Sequence, residues 1–151
     1  MPPFKSRRLI ILETNLDDMN PEWYETLMDR LFKAGALDVT LVPVLMKKSR
    51  PAVVLQVLAD ERRQPRLLEI FFRESTTLGV RSHPVTRFEL KRKIKKVKTI
   101  YGEVKLKIAC DQKGKTLNIS PEYESCRDLA KKKKIPLKKV YAAALRWGSK
   151  F

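Results

Sequence analysis

The sequence predicts an α+β fold: a split βαβ antiparallel sheet followed by a smaller basic subdomain of strands and two helices. Three observations predict it. Aliphatic runs alternate with stretches of helical period from Arg8 onward. Up to residue 87 their order reads strand-helix-strand-strand-helix-strand, the ferredoxin-like arrangement in which two helices cover one face of the sheet. Beyond Phe88 the pattern changes to strands that alternate basic and apolar residues, then two more helices. The expected organisation is therefore a ferredoxin-like domain over 8–87, with a basic subdomain over 88–151 packed on it.

The first strand is "RLIILETNL", Arg8 to Leu16. Asn20 is placed to cap the helix that follows, with Pro21 at its first position and Glu22 and Glu25 near the positive end of its dipole. Trp23, Tyr24, Leu27, Met28, Leu31 and Phe32 form one apolar stripe, and Gly35 is placed to stop the helix. "LDVTLVPVLMKK" and "AVVLQVLA" are β-branched runs joined by a turn at "KSRP", a hairpin. Asp60 opens the second helix, whose regular part is expected from Pro65, with Leu67, Leu68, Phe71 and Phe72 as its stripe. "VRSHPVTRFEL" is the fourth strand. "ELKRKIKKVKTI", "GEVKLKIAC" and "KTLNIS" are half-buried strands, with Val104, Leu106 and Ile108 on one side and Glu103, Lys105 and Lys107 on the other. Ser120-Pro121 is expected to start the third helix, with Tyr123, Cys126, Leu129 and Ala130 inside it. Pro136 starts the fourth and Gly148 ends it.

Composition narrows the function. The formal net charge is +16, and residues 88–108 hold eight basic side chains against two acids, with a further run at Lys131-Lys132-Lys133-Lys134. Such a field attracts anions: nucleic acid, nucleotides, phosphorylated metabolites or acidic lipid. With three Asn, three Gln and 33% charged residues, the composition leans toward a heat-stable protein. No apolar run approaches a membrane span and the N-terminal apolar run is too short for a signal peptide, so the expected location is cytoplasmic, with no membrane partner. His83 is the sole histidine, and Cys110 and Cys126 stand sixteen residues apart, a poor basis for a zinc site. There is no nucleophile elbow, dinucleotide-binding glycine fingerprint, P-loop or convincing Ser-His-Asp set.

Against this basic background, "ETNLDDMNPEWYE" carries five carboxylates and no cation. Asp17 and Asp18 lie where a strand end meets a helix start, and the turn forced by Asn20-Pro21 could bring both to one hard cation whose shell is completed by phosphate oxygens and water. The same acids could instead simply complement the helix dipole. Lys47, Lys48 and Arg50 crowd the hairpin turn, as phosphate ligands or as charges that protect an edge. Thr76 and Thr77 precede Gly79, with Arg81 and His83 on one side of the next strand, a plausible phosphate cradle.

Five blocks carry a resemblance: "ETNLDDMNPE", "KKSRPAVVLQVL", "ESTTLGVR", "YGEVKLKIA" and "PEYESCRDLAKKKKIPLKKVY". In that order, spanning Arg8 to Trp147, they resemble the C-terminal domain of the LarC family, nickel-insertion proteins (nickel chelatases) that make the nickel-pincer nucleotide of lactate racemase. The resemblance implies a CTP-dependent lyase, using Mg²⁺ or Mn²⁺, that inserts nickel into pyridinium-3,5-bisthiocarboxylic acid mononucleotide. This domain would bind the metal–CTP complex and assemble as a homo-oligomer, a trimer or hexamer. Carried onto this sequence, Asp17 and Asp18 become candidate metal ligands, and Lys47, Lys48, Arg50, Thr76, Thr77 and Arg81 candidate nucleotide ligands; no catalytic residue is assigned. Family members carry a large N-terminal domain that this sequence lacks. The expectation is a truncated form or a separately encoded half, inactive alone in nickel insertion, with the other domain supplied in trans. Two other readings stay open: a nucleic-acid-binding module and a purely structural oligomerisation domain.

Overall fold

The computed structural model describes residues 4–148, which divide into two compact units, 7–87 and a second made of the N-terminal residues and 88 onward. The order is β1 (Lys5–Leu16), α1 (Trp23–Ala34), β2 (Asp38–Met46), β3 (Arg50–Ala59), α2 (Gln64–Glu74), β4 (Arg81–Glu89), β5 (Lys91–Thr99), β6 (Gly102–Cys110), β7 (Thr116–Pro121), α3 (Tyr123–Lys133) and α4 (Leu137–Gly148).

In the first unit the sheet order is β2-β3-β1-β4, the ferredoxin-like one, with β3 antiparallel to both β1 and β2. Strand alternation decides which side each residue serves. Ile10, Leu12, Thr14 and Leu16 point to the side covered by the helices, while Glu13 and Asn15 point to the other. Leu27 and Leu31 of α1 and Leu67 and Phe71 of α2 complete one core with Leu12, Leu55 and Val57. Pro43 can sit in β2 because β2 is an edge strand, where its missing N–H breaks no inner ladder.

Asn20 does accept a hydrogen bond from the Glu22 N–H (3.0 Å), but the chain turns loosely there and the regular helix begins only at Trp23. Gly35 stops α1 at φ 106°, its N–H reaching the Leu31 and Phe32 carbonyls and that of Ala36 reaching Leu31. A Cβ on Gly35 would also lie 3.1 Å from Arg63 Nε. Gly35→Ala is therefore expected to cost about 1–2 kcal/mol, most of it left-handed strain, read by denaturant unfolding. The apolar stripes are wider than the core they serve: Trp23, Phe32 and Phe72 are each about half exposed.

The second unit is a three-stranded antiparallel sheet, β5-β6-β7, with α3 and α4 on one face. Val97, Val104, Leu106, Ile108 and Cys110 meet Cys126, Ala130, Val140 and Ala144. Both cysteines are free and buried, and burial together with the nearby Glu122 charge raises the Cys126 thiol pKa. The expected start of the third helix is corrected. Pro121 is the last residue of β7, paired with Leu106, and Glu122 caps α3 by accepting from the Ser125 N–H at 2.8 Å. Among the described residues no helix is long and apolar enough to cross a membrane.

Candidate functional site

Because β1 and β3 run antiparallel, the C-terminal end of β1, the β2–β3 turn and the start of β3 share one end of the first sheet. The segment between α2 and β4 is tied to the same end by its threonines. Thr76 donates to Asp18 Oδ1, and Thr77 shares a short hydrogen bond with the buried Thr14 of β1. The Gly79 carbonyl lies 2.8 Å from both hydroxyls and accepts from the one that does not donate to the other. At the head of the segment, Ser75 Oγ donates to the Phe71 carbonyl at 2.6 Å and so anchors it to α2. Buried hydroxyls need partners of this kind, and here they set the path of the loop.

The carboxylates are held by cations and hydroxyls. Asp17 Oδ2 accepts from Arg50 Nη1 at 3.0 Å. Burial, and after it the Asp18 charge, raise the Tyr24 phenol pKa. On the open face of the sheet, Glu13 accepts from Gln56 Nε2 (2.6 Å), its cross-strand partner, and from Arg81 Nε (3.0 Å). Arg81 also donates to Asn15 Oδ1, and His83 Nε2 lies 3.9 Å from Glu13. The hydrogen bonds from Gln56 and Arg81 outweigh burial, so the Glu13 carboxyl lies below its ordinary pKa.

Of the residues singled out from the sequence, Asp17, Asp18, Arg50, Thr76, Thr77 and Arg81 are drawn into this hydrogen-bonded end of the sheet. Lys47 and Lys48 sit in the 3-10 turn Lys47–Ser49 at the same end, exposed. Lys48 and Ser49 are both left-handed, at φ 60° and 56°, which costs roughly 1–2 kcal/mol per residue. Glu13, Asn15 and Gln56, which orient Arg81, and Thr14, which anchors the loop, were not singled out. The alternation of β1 carried half of that signal, since it placed Glu13 and Asn15 on one side.

The candidate metal donors are oxygen only, the Asp17 and Asp18 carboxylates and the Thr76 hydroxyl, with Arg50 paired to Asp17. That chemistry fits a hard divalent cation and phosphate oxygens, and does not fit a soft metal.

Residues 2–141 match the family model described as nickel insertion protein. The pyridinium-3,5-bisthiocarboxylic acid mononucleotide nickel insertion protein of Thermotoga petrophila is 44% identical over 142 residues, covering 94% of this chain and 36% of the relative. The protein of the same name from Clostridium kluyveri is 47% identical over 136 residues, covering 90% of this chain and 34% of the relative. The chain thus spans about a third of the length of these curated relatives. Among solved structures, the apo C-terminal domain of a cyclometallase involved in the synthesis of the NPN cofactor of lactate racemase is similar, with a TM-score of 0.88 and 38% identity. That match covers 93% of this chain and 96% of that one. The family match over nearly the whole length, and the agreement with this domain end to end, show that the chain belongs to the nickel insertion protein family and corresponds to a LarC-type C-terminal domain.

Proposed function

We propose that this chain is the metal–CTP-binding and oligomerising domain of a CTP-dependent nickel chelatase, a lyase that metallates pyridinium-3,5-bisthiocarboxylic acid mononucleotide. What supports this reading is that Arg50 pairs with Asp17 and Thr76 with Asp18 at one end of the first sheet, with Arg81 held by Glu13 of β1 and Lys47 and Lys48 exposed on the β2–β3 turn. Asp17 and Asp18 would hold Mg²⁺ or Mn²⁺. Among the described residues no three His, Cys, Asp or Glu side chains converge to hold an ion by themselves, so the triphosphate and water would complete the shell. The ion's contribution when bound is to neutralise and orient phosphate oxygens. Arg50 bridges the two halves of the site, since it already pairs with Asp17 and stands beside the exposed turn that carries Lys47 and Lys48. Arg81, fixed by Glu13 and Asn15, presents a pre-oriented fork, and Thr76 and Thr77 order the loop between them. Nickel and the pyridinium nucleotide are substrates of the longer protein; the isolated chain, covering a third of its relatives, would bind nucleotide and self-associate without inserting nickel.

The test is calorimetric titration of the chain with CTP and Mn²⁺, against ATP, GTP and metal-free CTP, with light scattering for a trimer or hexamer. Metal-dependent, CTP-selective binding is expected, and Asp17→Ala should weaken it about 10–100-fold, the cost of losing a charged partner. Equal binding of every polyanion with Asp17→Ala unchanged would leave the acidic turn as a helix-end feature only.

A further inference from the structure

The candidate nucleotide site does not account for most of the positive charge. Residues 7–87 hold 13 Lys and Arg against 11 Asp and Glu, whereas residues 88–151 hold 19 against six, +13 of the chain's +16. A heat-stable surface raises Lys and Glu together as ion-pair networks; here the acids are missing. The charge is also arranged. Register puts Arg92, Lys96 and Lys98 of β5 and Lys105 and Lys107 of β6 on the face of the second sheet opposite its core. Lys96 stands directly across from Lys105, a like-charge pair that destabilises a sheet unless an anion lies over it. Lys96, Lys107 and Arg92 each reach one carboxylate, Glu103, Glu122 and Glu89; Lys98 and Lys105 have no ion pair among the described residues. Lys105 also lines a cleft of about 580 Å³ with Lys132 and Lys133, so the basic strip continues from the sheet to the end of α3. The four acids of that cleft are engaged: Glu103 pairs with Lys96, Glu122 caps α3, and Glu124 and Asp128 pair with Arg127.

We infer that this strip is a docking surface for the phosphate backbone of duplex nucleic acid. Alternate residues on a strand stand about 6.7 Å apart, and the nine-residue β5 extends about 30 Å, the length of some nine base pairs. Residues 88–151 contain 16 Lys and three Arg. Protein interfaces favour Arg and deplete Lys, and base reading uses bidentate Arg, so a Lys strip points to sequence-independent phosphate contact. A bilayer needs a contiguous apolar area to insert into; on these faces of β5 and β6 the one large apolar side chain is Ile94, flanked by charge. The faces of β5 and β6 carry no aromatic residue and the cleft only Tyr101, so a run of stacked single-stranded bases has no platform there.

The experiment is fluorescence anisotropy of labelled DNA duplexes of two unrelated sequences, about 20 bp each, with the full chain. If about five phosphates are neutralised, the log–log salt slope is about −4.5, roughly a 500-fold loss between about 50 and 200 mM salt. Both duplexes should bind alike. Lys96→Glu with Lys105→Glu should cut affinity at least tenfold and flatten the slope by about two units while melting temperature is kept, and Lys132→Glu with Lys133→Glu should act in the same direction. Arg81→Ala should bind duplex as the wild type does. No duplex binding at about 50 mM salt, binding unmoved by either pair of reversals, or binding to phosphatidylserine vesicles with none to duplex would each overturn the inference.

Discussion

Phe71→Ala is expected to lower the unfolding free energy of the first unit by about 3–5 kcal/mol, the range for a fully buried aromatic ring whose cavity closes only in part. Phe71 is 0% exposed and packs in the cluster that joins α2 to β1, β3 and α1. Its carbonyl also accepts the Ser75 hydroxyl that starts the threonine loop, so loosening α2 frays the candidate site as well as the core. The chain offers a convenient probe, because its two tryptophans, Trp23 and Trp147, lie one in each unit. In a Trp147→Phe background, denaturant unfolding followed by Trp23 fluorescence reports the first unit. A loss under about 1 kcal/mol would mean that the site collapses around the missing ring and that α2 is not closely packed on the sheet.

Periodicity made the first unit legible, since period-2 runs and 3.6-period stripes came in an order that few topologies accommodate. It could not say where an apolar face ends. Trp23, Phe32 and Phe72 keep the helical spacing of Leu27 and Phe71 but sit at the margin of the core. Local signals failed where a ladder competed with them. Ser120-Pro121 reads as a helix start, yet Pro121 closes the β7 ladder against Leu106, where its lack of an N–H costs little, and the cap passes to Glu122.

The candidate site was legible by halves, divided by sequence distance. Asp17, Asp18, Arg50 and Arg81 announced themselves as charges near turns. Thr14 read as one more β-branched strand residue, because its partners Thr77 and Gly79 lie 63 and 65 residues away and meet it only when β4 lies beside β1. Glu13 is similar: its face followed from alternation, but Gln56 and Arg81 reach it through long-range register that no local pattern encodes.

Arg81→Ala has two expected consequences that separate its roles. Metal–CTP affinity should fall about 10–100-fold, the cost of removing one charge-assisted fork. The acid limb of stability should change too. Glu13 is depressed below 4.5 in the folded chain, so it stabilises the fold above that pH, and the contribution drains away as pH falls through the lowered value. Without Arg81, Glu13 keeps the Gln56 bond and the more distant His83, and its pKa moves back toward 4.5. The variant should therefore be less stable than the wild type at pH 7, with the gap narrowing as pH falls well below 4.5 and Glu13 is protonated in both proteins. Melting temperatures across that range, paired with the calorimetric titration, test the two effects together. A narrowed gap with unchanged CTP binding would make Arg81 a brace for β1 and β4 and leave the phosphates to Arg50 and the hairpin lysines. Weakened binding with a pH-independent gap would instead make it a ligand contact whose pairing with Glu13 carries no stability.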